Sequence, residues 1–253
     1  MNLTGNTILI TGGGSGIGRG LAEALHALGN QVVIAGRRKQ TLDETTAANP
    51  GMKWLQLNVE DAAGIRSFAA QATEQFPALN MLVNNAGIMR AEKLLAQQAG
   101  LVDAEVMVTT NLLGPIRLTA ALLPHLLKQT HAAILNVSSG LAFVPLALTP
   151  TYCATKAAIH SYTQSLRYQL RGSAIEVLEL IPPYVATDLM GGASDPRAMP
   201  LGKFIAEVMG ILKTTPTPAE ICVENVKGLR FAAEGGKAEA IFQGLNAAMA
   251  DIH

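Results

Sequence analysis

The sequence is short of several things, and each shortage excludes a class of protein. Two cysteines occur among 253 residues, Cys153 and Cys222, with no CxxC spacing. A disulfide framework is excluded, and a reducing compartment is expected. The five histidines, His26, His125, His131, His160 and His253, are scattered without ligand spacing, so no metal site is expected. Nineteen basic residues balance nineteen acidic ones. Without a basic excess, nucleic acid is not an expected partner. The longest apolar stretch, residues 112–127, is broken by Pro115, Arg117, Pro124 and His125, too often to span a bilayer. No basic cluster precedes an apolar run after Met1. No leader peptide or membrane partner is expected, and the cytoplasm is the expected location by default.

What is present alternates between two periods. Runs at residues 7–11, 31–35, 54–59, 79–84, 133–137 and 175–181 read as strands. Helical spacing fills 18–28 and 151–171, and Asp61 is placed to cap the helix after the third strand. Asp103 is placed to cap a long helix reaching about Lys128, and Thr217-Pro218-Ala219-Glu220 has the spacing of a capping box. Strand and helix in alternation imply right-handed crossovers. The expected fold is one α/β domain over residues 1–253, a doubly wound parallel sheet of about seven strands with helices on both faces. The small-residue segment 191–200 interrupts the alternation, and residues 189–215 are expected to form a substrate flap.

Thr11-Gly12-Gly13-Gly14-Ser15-Gly16-Ile17-Gly18 falls between the first strand and the first helix. A dinucleotide pyrophosphate needs close backbone approach and free amides at a helix N-terminus. Side chains at Gly12 or Gly16 would obstruct it, and one at Gly18 would push the helix off the strand. The spacing is not the strict GxGxxG fingerprint. After the second strand, Gly36 stands where an acidic residue would hold a ribose 2′-hydroxyl, and Arg37 and Arg38 follow. Arginine suits a 2′-phosphate in charge and fork geometry, with Ser15 as a further donor, so the expected cofactor is NADP(H).

Tyr152 and Lys156 lie four apart at the start of a helix, on one face. A free phenol titrates near 10. A neighbouring ammonium is expected to lower that value toward the range of useful acid/base catalysis. Ser138-Ser139 ends the fifth strand, where open α/β sheets place their ligands. Cys153 and His160 read as packing residues. Met89, Phe143, Leu146, Leu148, Leu189, Met190 and Phe204 are candidates for an apolar pocket.

Together the glycine loop, Asn84-Asn85-Ala86-Gly87, Asn111, Ser139 and Tyr152-Cys-Ala-Thr-Lys156, in this order, resemble the short-chain dehydrogenase/reductase family from about Thr4 onward. The resemblance implies that Tyr152 is the acid in reduction and the base in oxidation, and that Ser139 bonds the substrate oxygen. It implies that Lys156 binds the nicotinamide ribose and tunes Tyr152, and that Asn111 supports a water relaying protons to Lys156. It also places Gly12, Ser15, Gly16, Ile17, Gly18, Arg37, Arg38, Asn58, Val59, Asn85, Ala86, Gly87, Val185 and Thr187 around the cofactor. The implied reaction is hydride transfer to or from a ketone or secondary alcohol in a homotetramer or homodimer. A non-catalytic NADP(H)-binding scaffold on the same fold is the alternative.

Two positions depart from the family. Asn58 replaces an aspartate, and Pro182-Pro183 replaces Pro-Gly, removing a backbone donor. The Pro-Pro form, with residues 236–246, resembles a subgroup linked to D-alanylation of teichoic acids.

Overall fold

The computed structural model describes residues 1–94, 101–189, 191 and 195–248. Seven strands, β1 (Thr7–Thr11), β2 (Gln31–Gly36), β3 (Lys53–Gln56), β4 (Leu79–Asn84), β5 (Ala132–Val137), β6 (Ile175–Ile181) and β7 (Glu220–Cys222), form one sheet. Its order is β3-β2-β1-β4-β5-β6-β7, and every pairing is parallel. Every residue of β4 and β5 is buried, as strands covered on both faces require.

The strand period of two sends alternate residues to opposite layers. Ile8 and Ile10 pack with Leu21 and Leu25 of α1 (Gly16–Ala27) on one face. Leu9 packs with Ile65 and Phe68 of the third helix on the other. The remaining helices are α2 (Lys39–Ala48), α3 (Ala62–Gln75), α4 (Val102–Val108), α5 (Gly114–Leu126), α6 (Pro150–Gln169), α7 (Leu201–Leu212), α8 (Glu224–Arg230) and α9 (Ala238–Ala247). Asp61 caps α3 as expected, accepting from the Ala63 amide at 3.0 Å. Between β1 and β4 the winding reverses direction. A crevice opens at such a switch point, beyond the strand C-termini.

Three expectations are corrected. The helix expected from Asp103 to about Lys128 is three pieces: α4, a π-helical turn at Thr109–Leu113, and α5. Pro115 has no N–H to offer the Asn111 carbonyl four residues back, so the ladder changes register there. Leu101, not Asp103, holds the cap position, and Asp103 lies in the first turn, where it complements the helix dipole.

Thr217–Glu220 does not open a helix. Glu220 begins β7, where Ile221 is fully buried and pairs with Leu180. That burial outweighs the local capping pattern. Of the expected flap, residues 190 and 192–194 lie outside the described residues. Leu201–Leu212 form α7, with Phe204 and Val208 in the core against α1.

The continuous stretch Val102–Leu126 is long and apolar enough to cross a membrane. Its Leu118, Leu122 and Leu126 are instead buried against the sheet and α3.

Candidate active site

The glycine loop is held by backbone. Gly12 N donates to the Ala35 carbonyl at 2.7 Å, and Gly12 and Gly16 both take positive φ, which glycine adopts without a Cβ penalty. A Cβ on Gly12 would lie 3.0 Å from the Ala86 Cα, and one on Gly18 would collide with the Gly12 carbonyl. Ser15 stands at the N-cap of α1 with no side-chain cap bond, and no acidic residue lies in the first turn. The first amides of α1 are therefore left without a side-chain acceptor, which suits an anion. Ile17, half-buried in that turn, packs onto the core.

Asn85 ties β4 to this loop. Its side-chain amide donates to the Thr11 carbonyl at 2.9 Å. The backbone amides of Asn85 and Ala86 both donate to Thr11 Oγ1 at 3.0 Å. Thr187 meets the loop from the other side: a Cβ on Gly16 would touch its Cγ2 at 3.4 Å. Val185 is buried beside it, in a parallel bridge with Met199. Pro183 does not prevent this approach.

The two arginines differ. Arg37 is paired with Glu60 at 2.6 Å. Arg38 reaches back over the loop, its Nη2 3.3 Å from Ser15 Oγ. Asn58 is exposed and its Oδ1 accepts from the Glu60 amide at 3.1 Å, while Val59 is buried.

The chemical groups come from β5, α6 and the π turn. Ser139 caps the short 3-10 turn Gly140–Ala142, its Oγ accepting from the Leu141 amide at 3.1 Å. Tyr152 and Lys156 are one turn apart on α6 and 6% and 5% exposed. Lys156 Nζ donates to the Val137 carbonyl at 2.8 Å and lies 5.6 Å from the centre of the Tyr152 ring. Gly87 leaves room between Asn111 and Lys156: a Cβ there would be 3.3 Å from Asn111 Oδ1 and 3.7 Å from Lys156 Nζ. Asn111 is committed locally. Its Oδ1 accepts from the Ile88 amide at 2.9 Å, and its Nδ2 donates to the Ile88 carbonyl at 2.8 Å.

The electrostatics differ from the sequence expectation. Burial pushes the Tyr152 phenol up to about 12, against a lowering by its hydrogen bond with the Ser139 side chain. Burial brings the Lys156 ammonium down to about 8, and the charge of Glu179 opposes that shift. Burial is the largest influence on the phenol, so its net shift is upward. The phenol is thus protonated at neutral pH and holds its proton more tightly than a free phenol does.

Around Tyr152 the apolar wall is Met107, Leu146, Leu148 and Cys153, with Ile88, Met89, Leu141 and Leu245 against it. Of the expected pocket residues, Met89, Leu146 and Leu148 are here. Phe204 is core, and Phe143 packs edge-on against His160 at 4.7 Å. Leu189 is exposed, and Met190 lies outside the described residues. Cys153 packs as expected, its thiol pushed up by burial.

Two contributors escape local sequence reading. Asn246 follows Leu245 on α9 and accepts from the Ala147 amide at 2.6 Å. Glu92 accepts from Thr151 N at 2.9 Å and Thr151 Oγ1 at 2.8 Å, capping the helix that carries Tyr152. Both partnerships span more than fifty residues, so no local pattern signals them. Glu92→Ala is expected to lower stability by about 1 kcal/mol, the usual value of a helix cap. Urea unfolding checks it, and an unchanged midpoint would show that the cap contributes nothing.

Comparison with known proteins agrees with this geometry. The family model described as short chain dehydrogenase matches residues 6–198. The chain is 39% identical over 251 residues to the uncharacterized oxidoreductase DltE of Bacillus subtilis (strain 168), covering 97% of this chain and 98% of that protein. This relative agrees with the subgroup to which Pro182-Pro183 pointed. Among solved structures, the closed form of serine dehydrogenase complexed with NADP+ superposes with a TM-score of 0.75 at 26% identity, over 85% of this chain and 92% of that one. The 3-ketoacyl-(acyl-carrier-protein) reductase of Brucella melitensis complexed with NADH superposes at 0.76 and 27% identity, over 85% and 93%. With its sheet order, its glycine loop and its Tyr152–Lys156 pair, the chain belongs to the short-chain dehydrogenase family, enzymes of the oxidoreductase class that use NAD(P)(H).

Proposed function

We propose that the chain is an NADP(H)-dependent reductase/dehydrogenase acting on an apolar or moderately polar ketone or secondary alcohol. The observation carrying this reading is the pairing of a buried phenol with a buried ammonium, one helical turn apart, beside the strand-end glycines. The cofactor would be held by the loop Gly12–Gly18, Arg38, Asn58, Asn85 to Gly87, Lys156 and Thr187; it supplies or accepts the hydride. Tyr152 gives its proton to the substrate oxygen in reduction, and Ser139 donates a hydrogen bond to the same oxygen as charge develops there. Lys156 lies behind the phenol and favours the phenolate left after proton transfer. Asn111 acts through backbone: it fixes Ile88 and the wall of Gly87 facing Lys156. Soluble cytoplasmic residence and a homo-oligomer built on α4, α5 and α6 belong to the same reading. The exposed Val102 and Tyr168 on those helices support the second.

The preference for NADP(H) rests on Gly36 and on the position of Arg38. Arg38→Ala is expected to weaken NADPH binding about 10- to 100-fold, the loss of a charge-assisted contact, and to leave NADH within about twofold. Arg37→Ala has a smaller effect, because Arg37 is paired with Glu60. Equal losses for the two cofactors would remove the 2′-phosphate role. The function itself is tested by NADPH titration with a carbonyl reduction screen. Turnover supports the enzyme, and tight binding without turnover across a broad panel supports the scaffold.

A further inference from the structure

We propose that Glu179 on β6 is a positioning residue for the site, the buried counter-charge that keeps Lys156 an ammonium, with Ser138 and His160 fixing its two oxygens. The inference rests on the function just proposed for Lys156.

Glu179 is fully buried. Its Oε1 accepts from Ser138 Oγ at 2.5 Å and its Oε2 from His160 Nδ1 at 2.8 Å. One donor on each oxygen is the pattern of an ionised carboxylate. Two short routes join this group to Lys156. Along β5, the Val137 carbonyl receives Lys156 Nζ and the next residue, Ser138, holds Glu179. Along α6, Lys156 and His160 are four apart, on one face toward the sheet.

The other charged groups nearby are already matched. Glu220 on β7 lies close to Glu179 and His160. Arg230 on α8 binds both its oxygens, at 2.6 and 3.2 Å, and also holds Glu234 at 2.8 Å. Lys227 bonds Glu224. The Cys222 thiol on β7 is pushed up to about 11 by burial and by Glu220, so it is neutral. The far ring nitrogen of His160 meets Gln164 at 3.1 Å.

An ionised carboxylate at this depth favours the charged form of a cation near it. Lys156 is the buried cation that feels it: burial lowers the ammonium and Glu179 raises it. His160, Glu179 and Glu220 have ligand atoms within 4.8 Å of one another. A metal reading fails, because all four carboxylate oxygens already hold protein donors.

The test is Lys156 itself, followed in the full-length, cofactor-free protein by NMR of [13Cε]lysine and assigned by its loss in Lys156→Met. In wild type the signal is expected to titrate near 8. Glu179→Gln keeps the acceptor for Ser138 and removes the charge. It should lower the midpoint by about one unit or more, leaving about half or more of Lys156 neutral at pH 7. Ser138→Ala removes a hydrogen bond but keeps the charge, and should move the midpoint by less than half as much. In turnover with NADPH, the fall on the alkaline side of the kcat/KM profile, where Lys156 loses its proton, should shift to lower pH by the same amount in Glu179→Gln.

An unmoved Lys156 in Glu179→Gln, or an equal shift in Ser138→Ala, overturns the proposal. If Glu179→Gln does not fold, [13Cδ]glutamate NMR of wild type decides: a carboxylic acid at 179 at pH 7 also overturns it. The lysine titration needs no turnover. A failed NADPH screen therefore counts against the proposed function, and a flat lysine titration counts against Glu179 alone.

Discussion

Tyr152→Phe is expected to bind NADPH as tightly as wild type and to lose turnover by about a thousandfold, within the range a positioned acid supplies. The substitution removes one oxygen from a ring packed among Met107, Leu146, Leu148 and Cys153, so the apolar contacts remain. Ser139 loses one hydrogen-bond partner, at a cost of about 1 kcal/mol. Lys156 keeps its bond to the Val137 carbonyl. Cofactor affinity is therefore not expected to follow activity. Residual turnover within about tenfold of wild type would show that another group delivers the proton. Loss of NADPH binding with turnover would show that the hydroxyl builds the site instead of acting in it.

Much of this site is legible in the sequence because the positions that matter are local. The turn between β1 and α1 is written in glycines whose missing Cβ atoms make room for Asn85 and Ala86. The first six strands read correctly because burial on both faces leaves few polar positions. The failures have a common cause in long-range contacts. Thr217–Glu220 carries a helix-start pattern, and β6 recruits the segment as an edge strand. The π turn follows from Pro115, but its use, aiming Asn111 at Ile88, depends on the β4 exit 23 residues earlier. The Tyr152 phenol was expected to be lowered because Lys156 is four residues away. Spacing fixes the face and not the direction of the ammonium, and burial decides the outcome.

Burial also sets the second large effect: Lys156→Met is expected to stabilise the cofactor-free chain while abolishing turnover. The ammonium falls from 10.5 to about 8 on burial, a penalty of about 3 kcal/mol on the charged form. Methionine fills similar space without charge. It forfeits the bond to the Val137 carbonyl, about 1 kcal/mol, leaving a net gain of about 2 kcal/mol at pH 7. For a chain of this length that raises Tm by roughly 4–8 °C.

The sign with pH is fixed, because the folded value lies below the unfolded one. The penalty is fully present below about 8, shrinks as pH rises toward 10.5, and is absent above it. The stability difference between variant and wild type should close over that window in thermal unfolding at successive pH values. If Lys156 holds the nicotinamide ribose as proposed, NADPH binding should weaken as well. A variant less stable than wild type at pH 7, or a gain that does not change with pH, would mean that this lysine carries no burial cost. A group that destabilises the resting fold and is kept in it is the signature of a residue retained for chemistry.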